Sequence, residues 1–206
     1  MAAKTLTLDA GVVAVLADCH IHPGGGPEFA PHVLNALCDA HLIVTLGDMG
    51  ESAGLDQLEA IATVVGVRGE DDADDPRTDN PALLLNIGGK RVGCVFSAVA
   101  SGLATSSEPL TPVADFGAAC RALFGTEVDV LLHAGTHRPA TDAIGAQGIA
   151  LNPGSANLPA ERAAPAFGRL VFEGGGVQPE IVSVVQMDCA CGAEFGVAAK
   201  PAMTPA

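Results

Sequence analysis

Short apolar runs that each end in carboxylates or imidazoles constrain this chain more than any other feature. Four of them close on Asp18-Cys19-His20, Gly47-Asp48, Arg68-Gly69-Glu70-Asp71-Asp72 and Gly135-Thr136-His137. Strands that bring such residues to one sheet edge build a site from separate loops, as α/β folds do at the carboxyl ends of their strands. Residues two apart in an extended segment point to the same side, so Asp18 and His20 can share one ion.

The apolar pattern predicts strands over 11–17, 41–46 and 63–67, separated by helices over 27–40 and 55–62. Such alternation implies parallel pairing with right-handed crossovers. Residues 70–82, acidic and proline-containing, read as an exposed loop. Segments 82–87 and 91–96 flank Gly88-Gly89, a two-residue hairpin signal. A helix is expected over 113–124, strands over 128–133 and 148–151, and a closing hairpin from 169–172 and 180–185. Residues 1–206 read as one domain, with the core between 10 and 185 and a frayed tail over 193–206.

Composition narrows the function. Hydrophobic residues make up 49% but aromatics only 3%, so the core is built from Ala, Val, Leu and Ile. The formal net charge is -14, a field that disfavours nucleic-acid and anionic-membrane partners. It repels phosphate substrates too, unless bound cations reverse the sign locally. No apolar run approaches the ~20 residues of a membrane span, and no secretory signal pattern opens the chain. The expectation is a soluble cytoplasmic protein. Its six cysteines then read as reduced thiols, with Cys38, Cys94 and Cys120 as buried fillers and Cys189 and Cys191 as incidental.

The order and flanks of these motifs resemble the calcineurin-like metallophosphoesterases, in particular the small phosphodiesterase branch that includes the retromer scaffold subunit. Leu151-Asn152-Pro153-Gly154-Ser155 is similar to the I-N-P-G-S turn of that branch. The resemblance implies an α/β fold, a four-layer αββα sandwich. It also implies that Asp18, His20, Asp48 and His137 hold a first metal ion, with Asp48 bridging to a second. The family's G-N-x-D is written Gly69-Glu70-Asp71-Asp72 here, which makes Glu70 a substitute second-site ligand and Asp72 the residue that orients the site. Two further second-site histidines are replaced by Ser97 and Gly135, and nearby His133 reads as a satisfied interior histidine. Arg68 has two readings, a phosphate contact or an ion pair with the acidic run that follows it.

Two carboxylates with two neutral imidazoles suit Mn²⁺ first, with Fe²⁺, Zn²⁺ or Mg²⁺ as alternatives, and one tightly bound ion. The implied activity is hydrolysis of a small phosphate ester by a metal-dependent phosphodiesterase with an atypical, mononuclear centre. The alternative is a binding or scaffold protein that kept the fold and lost hydrolysis.

Overall fold

A computed structural model of the protein describes residues 3–22, 28–145 and 148–184. One sheet carries β2 (Val12–Leu16), β3 (Leu42–Thr45), β4 (Thr63–Gly66), β12 (Ala166–Glu173) and β13 (Gly176–Ser183), in the order β13-β12-β2-β3-β4. The other carries β1 (Lys4–Leu8), β5 (Leu83–Ile87), β6 (Lys90–Cys94), β9 (Val130–Leu132), β10 (Pro139–Ile144) and β11 (Gly148–Pro153), in the order β1-β5-β6-β9-β11-β10. β7 (Ala104–Ser107) and β8 (Leu110–Pro112) form a separate hairpin.

Period-two alternation explains the layering. Val13 and Val15 of β2 point between the sheets, where they meet Leu83, Leu85, Val92, Val130 and Leu132 from the opposite sheet. Ala14 and Leu16 point outward, onto α1 (Pro31–Ala36) and α2 (Ser52–Glu59), through Val33, Leu55 and Leu58. On the far side, Leu84, Leu131 and Ala150 pack against Cys120 and Phe124 of α3 (Phe116–Phe124). The result is the four-layer αββα sandwich that the motifs imply. With few aromatics, small side chains let helix and sheet approach closely. Gly93 shows this, since an added Cβ there would meet the Phe124 ring at 2.8 Å.

The strand predictions for β2, β3 and β4 agree with the structure, and these strands pair in parallel. Gly88 and Gly89, with φ of 56° and 77°, make the β5–β6 turn. The helix expected over 27–40 is shorter. Proline disfavours helical backbone in the residue before it, and Ala30 is extended at φ -62°, ψ 144°, so α1 starts at Pro31. α2 begins at Ser52, three residues earlier than its apolar pattern suggests. The edge strands β1 and β10 and the β7–β8 hairpin have no counterpart in the sequence reading. Cys38 is exposed rather than buried, whereas Cys94 and Cys120 are buried as expected. The tail over 193–206, with Cys189 and Cys191 before it, lies outside the described residues. Among the described residues no helix is long and apolar enough to cross a membrane.

Candidate metal centre

The loops after β2, β3, β4 and β9 meet at one end of the sandwich, because the three parallel strands of one sheet end together beside β9 of the other. Asp18, fully buried two residues beyond β2, accepts the backbone N–H groups of Gly135 and His137, each at 3.1 Å. One carboxylate thereby ties the two sheets together. Burial pushes the Asp18 carboxyl above the usual carboxylate range, opposed by the N–H groups of His137 and Gly135. A cation in contact would favour the charged form.

The two imidazoles are oriented from behind. His137 Nδ1 lies 2.6 Å from the carbonyl oxygen of Leu158, and His20 Nδ1 lies 2.7 Å from Asp71 Oδ2. A carbonyl oxygen only accepts, so Nδ1 of His137 carries the ring proton, and the Asp71 carboxylate selects the same tautomer in His20. Neutral rings in these tautomers turn their Nε2 lone pairs toward each other, with the two Nε2 atoms 3.4 Å apart and the rings stacked at 5.1 Å. Asp48 Oδ2 stands 4.0 Å from His20 Nε2. Lone pairs facing one another without a proton between them repel, and a divalent ion removes the repulsion. This donor set fits the metal that the motifs imply.

The backbone is strained at the same places. Asp18, His20, Asp48 and His137 have φ of 54°, 49°, 52° and 55°, and Arg162 is the only other described non-glycine residue with positive φ. Left-handed backbone costs an L residue on the order of 1–2 kcal/mol, and persists where the surroundings over-determine it. Asp72 is one such determinant. It takes no place in the donor set; its carboxylate accepts the N–H groups of Met49 at 2.6 Å, Gly50 at 3.0 Å and Gly69 at 2.7 Å. Gly69 must be glycine, because an added Cβ would sit 2.2 Å from the Asp48 nitrogen. Through these contacts the loops after β3 and β4 are fastened together.

The other residues singled out in the sequence have different surroundings. Glu70 is exposed, and it is its neighbour Asp71 that reaches His20 while donating its N–H to Asp48 Oδ1 at 2.9 Å. Arg68 forms the ion-pair alternative, 2.5 Å from Asp74 and 3.5 Å from Asp79. Ser97 is half-buried and its Oγ accepts the Ala100 N–H at 3.1 Å, closing a local turn. Gly135 is exposed with φ of 85°. His133 is interior but not satisfied: it is fully buried, neither ring nitrogen has a hydrogen-bond partner among the described residues, and burial pushes its pKa down to about 4.

Sequence reasoning missed Asp71, His22 and Leu158, and it assigned no role to Ser155. Ser155 Oγ donates to the Asp18 carbonyl at 2.7 Å and accepts the Leu158 N–H at 2.7 Å, which sets the carbonyl that orients His137. The Leu151 to Ser155 turn was visible as a motif; its task becomes legible only from these contacts.

Comparison with known proteins agrees with this geometry. The calcineurin-like phosphoesterase superfamily domain matches residues 12–175. Vps29 of Chaetomium thermophilum is 22% identical, with a TM-score of 0.62 over 83% of this chain and 96% of that one. Vps29 of Entamoeba histolytica, solved in complex with Zn²⁺, is 22% identical at a TM-score of 0.57, over 84% of this chain and 99% of that one. A conserved Streptococcus pneumoniae protein described as a predicted phosphoesterase is 13% identical at 0.58, over 85% and 90%. No curated protein sequence matches the chain. With its sandwich, its strand-end ligand loops and the matched domain together, the chain belongs to the calcineurin-like phosphoesterase superfamily.

Proposed function

We propose that the protein is a metal-dependent hydrolase of a small phosphate ester, phosphodiesterase-like, working with one tightly held divalent ion. The observation that carries this reading is the pair of Nε2 atoms of His20 and His137, 3.4 Å apart, on rings whose Nδ1 atoms are each engaged from behind. Asp18, His20, Asp48 and His137 would hold the ion, with Mn²⁺ expected and Fe²⁺, Zn²⁺ or Mg²⁺ as alternatives. A divalent ion there supplies Lewis-acid activation of water and of a phosphoryl oxygen. The chain's own residues do the positioning. Asp71 and the Leu158 carbonyl hold the tautomers, Asp72 holds the loops, and burial of Asp18 keeps water from competing for its oxygens.

Charge supports a small substrate. Arg68 is engaged by Asp74 and Asp79, and Arg138 by Glu108 at 3.0 Å, so neither arginine beside the centre is free to neutralise a polyphosphate. A second reading, a binding or scaffold protein, is favoured by Ser97 and Gly135, which offer no imidazole where the resemblance places second-site ligands.

The test is turnover of bis(p-nitrophenyl) phosphate with added Mn²⁺, in the wild type and in a triple variant Glu70→Asn, Ser97→His, Gly135→His. Slow, chelator-sensitive turnover is expected in the wild type. The triple variant should gain at least tenfold, since a second ion adds several kcal/mol of charge stabilisation at ~1.4 kcal/mol per decade. A folded triple variant that binds two ions and turns over nothing would decide for the binding reading.

A further inference from the structure

His22 and Asp71 lie on the solvent side of His20, facing away from His137. His22 Nε2 is 3.3 Å from Asp71 Oδ2, the same oxygen that lies 2.7 Å from His20 Nδ1. One donor atom from each of His20, His22 and Asp71 lies within 4.8 Å of the other two. Donors at ~2.0–2.2 Å from a shared ion stand roughly 3.3 Å apart, so a modest closure suffices. Room for it exists, because the side chains of His22 and Asp71 are 51% and 40% exposed.

We propose that His20 Nδ1, His22 Nε2 and Asp71 form a second, outer metal site, exposed and suited to Zn²⁺, that competes with the inner centre for His20. Two imidazoles and one carboxylate with open positions match the ligand choice of three-ligand zinc sites. This is not where the resemblance puts a second ion, which would use Asp48 and the positions of Glu70, Ser97 and Gly135.

The competition follows from the single ring proton of neutral His20. With the inner ion bound at Nε2, the proton sits on Nδ1 and is given to Asp71. With an ion on Nδ1, the proton sits on Nε2, where it can donate to His137 Nε2 at 3.4 Å. The inner centre then loses one ligand and has a proton in its middle. Each ion therefore weakens the other, and by the same factor. Only this coupling rests on the proposed inner site; the outer ligand set stands without it.

The test is Zn²⁺ binding by equilibrium dialysis, with Co²⁺ absorption as a second measure of the ligand field. Four forms are compared: the wild type, His137→Ala, His22→Ala and the double variant. His137→Ala should still bind one Zn²⁺, and adding His22→Ala should weaken that ion at least tenfold. His22→Ala alone should keep the tight ion and lose the second, with the inner centre's affinity for Mn²⁺ becoming less sensitive to Zn²⁺. If His137→Ala binds no Zn²⁺, or if His22→Ala leaves its Zn²⁺ binding unchanged, the outer site does not exist. If His137→Ala and the wild type bind one identical ion that His22→Ala abolishes, the outer site stands and the inner reading fails.

Discussion

Asp18, His20, Asp48 and His137, the residues proposed to hold an ion, and the positions of Glu70, Ser97 and Gly135 share the same end of the sandwich, yet the backbone treats them differently. In the first set all four residues sit at φ near 50° and are held there by Asp72, Asp71, Ser155 and the Leu158 carbonyl. In the second, Gly135 takes its φ of 85° at no steric cost, Ser97 serves a local turn, and Glu70 lies exposed. Strain persists only where something holds it. The difference shows which of these residues the surrounding loops hold in place, and Gly135 takes part only through its backbone N–H to Asp18.

The largest expected effect tests how the strained set is fastened. Asp72→Ala should cost on the order of 4 kcal/mol, because the three N–H groups it accepts lose a charged acceptor in a partly buried loop. Urea unfolding would measure it, and a loss under about 1 kcal/mol would mean that Asp72 does not hold the loops.

Two glycine substitutions compare the two sets directly. Gly69→Ala should cost about 3 kcal/mol, since its Cβ would meet the Asp48 nitrogen at 2.2 Å and neither backbone segment can withdraw. Gly135→Ala should cost only about 1 kcal/mol, from left-handed strain alone, because the nearest atom is a Phe96 ring carbon at 3.6 Å. Equal losses in thermal unfolding would erase the contrast.

A third effect concerns the second set, where His133 is buried two residues before Gly135. Burial lowers its pKa from 6.5 to about 4, with the nearby Asp142 charge opposing. Below the unfolded value the unfolded chain binds a proton that the folded chain does not. Stability is therefore fully present above about pH 6.5 and falls by ~1.4 kcal/mol per unit on acidification, roughly 2 kcal/mol by pH 5. His133→Leu should remove that part of the slope in a pH series of urea midpoints. An unchanged slope would place the acid sensitivity elsewhere.

Much of the first set was legible in the chain. Asp18, His20, Asp48 and His137 each follow an apolar run, and buried parallel strands write themselves as continuous Val, Leu and Ile. The edge strand β10 was not legible, because its half-exposed Pro139–Ile144 alternates weakly and reads as loop. Glu70 and Asp71 are chemically equivalent neighbours on paper, and only the turn that Asp72 pins decides which of them faces His20. His133 looked satisfied because an interior histidine usually finds a partner, and whether one is in reach depends on strands distant in sequence.

By itself, then, the amino-acid order determined the alternation of strands and helices, the strand ends and the residue types delivered there, since period, turn chemistry and apolar runs are local properties. Tertiary structure decided the tautomers, the left-handed backbone and the outward pairing of His20, Asp71 and His22, because each depends on contacts from other loops. A proton's place on His20 is set by residue 71, and on His137 by residue 158, and that distance along the chain has no local signature.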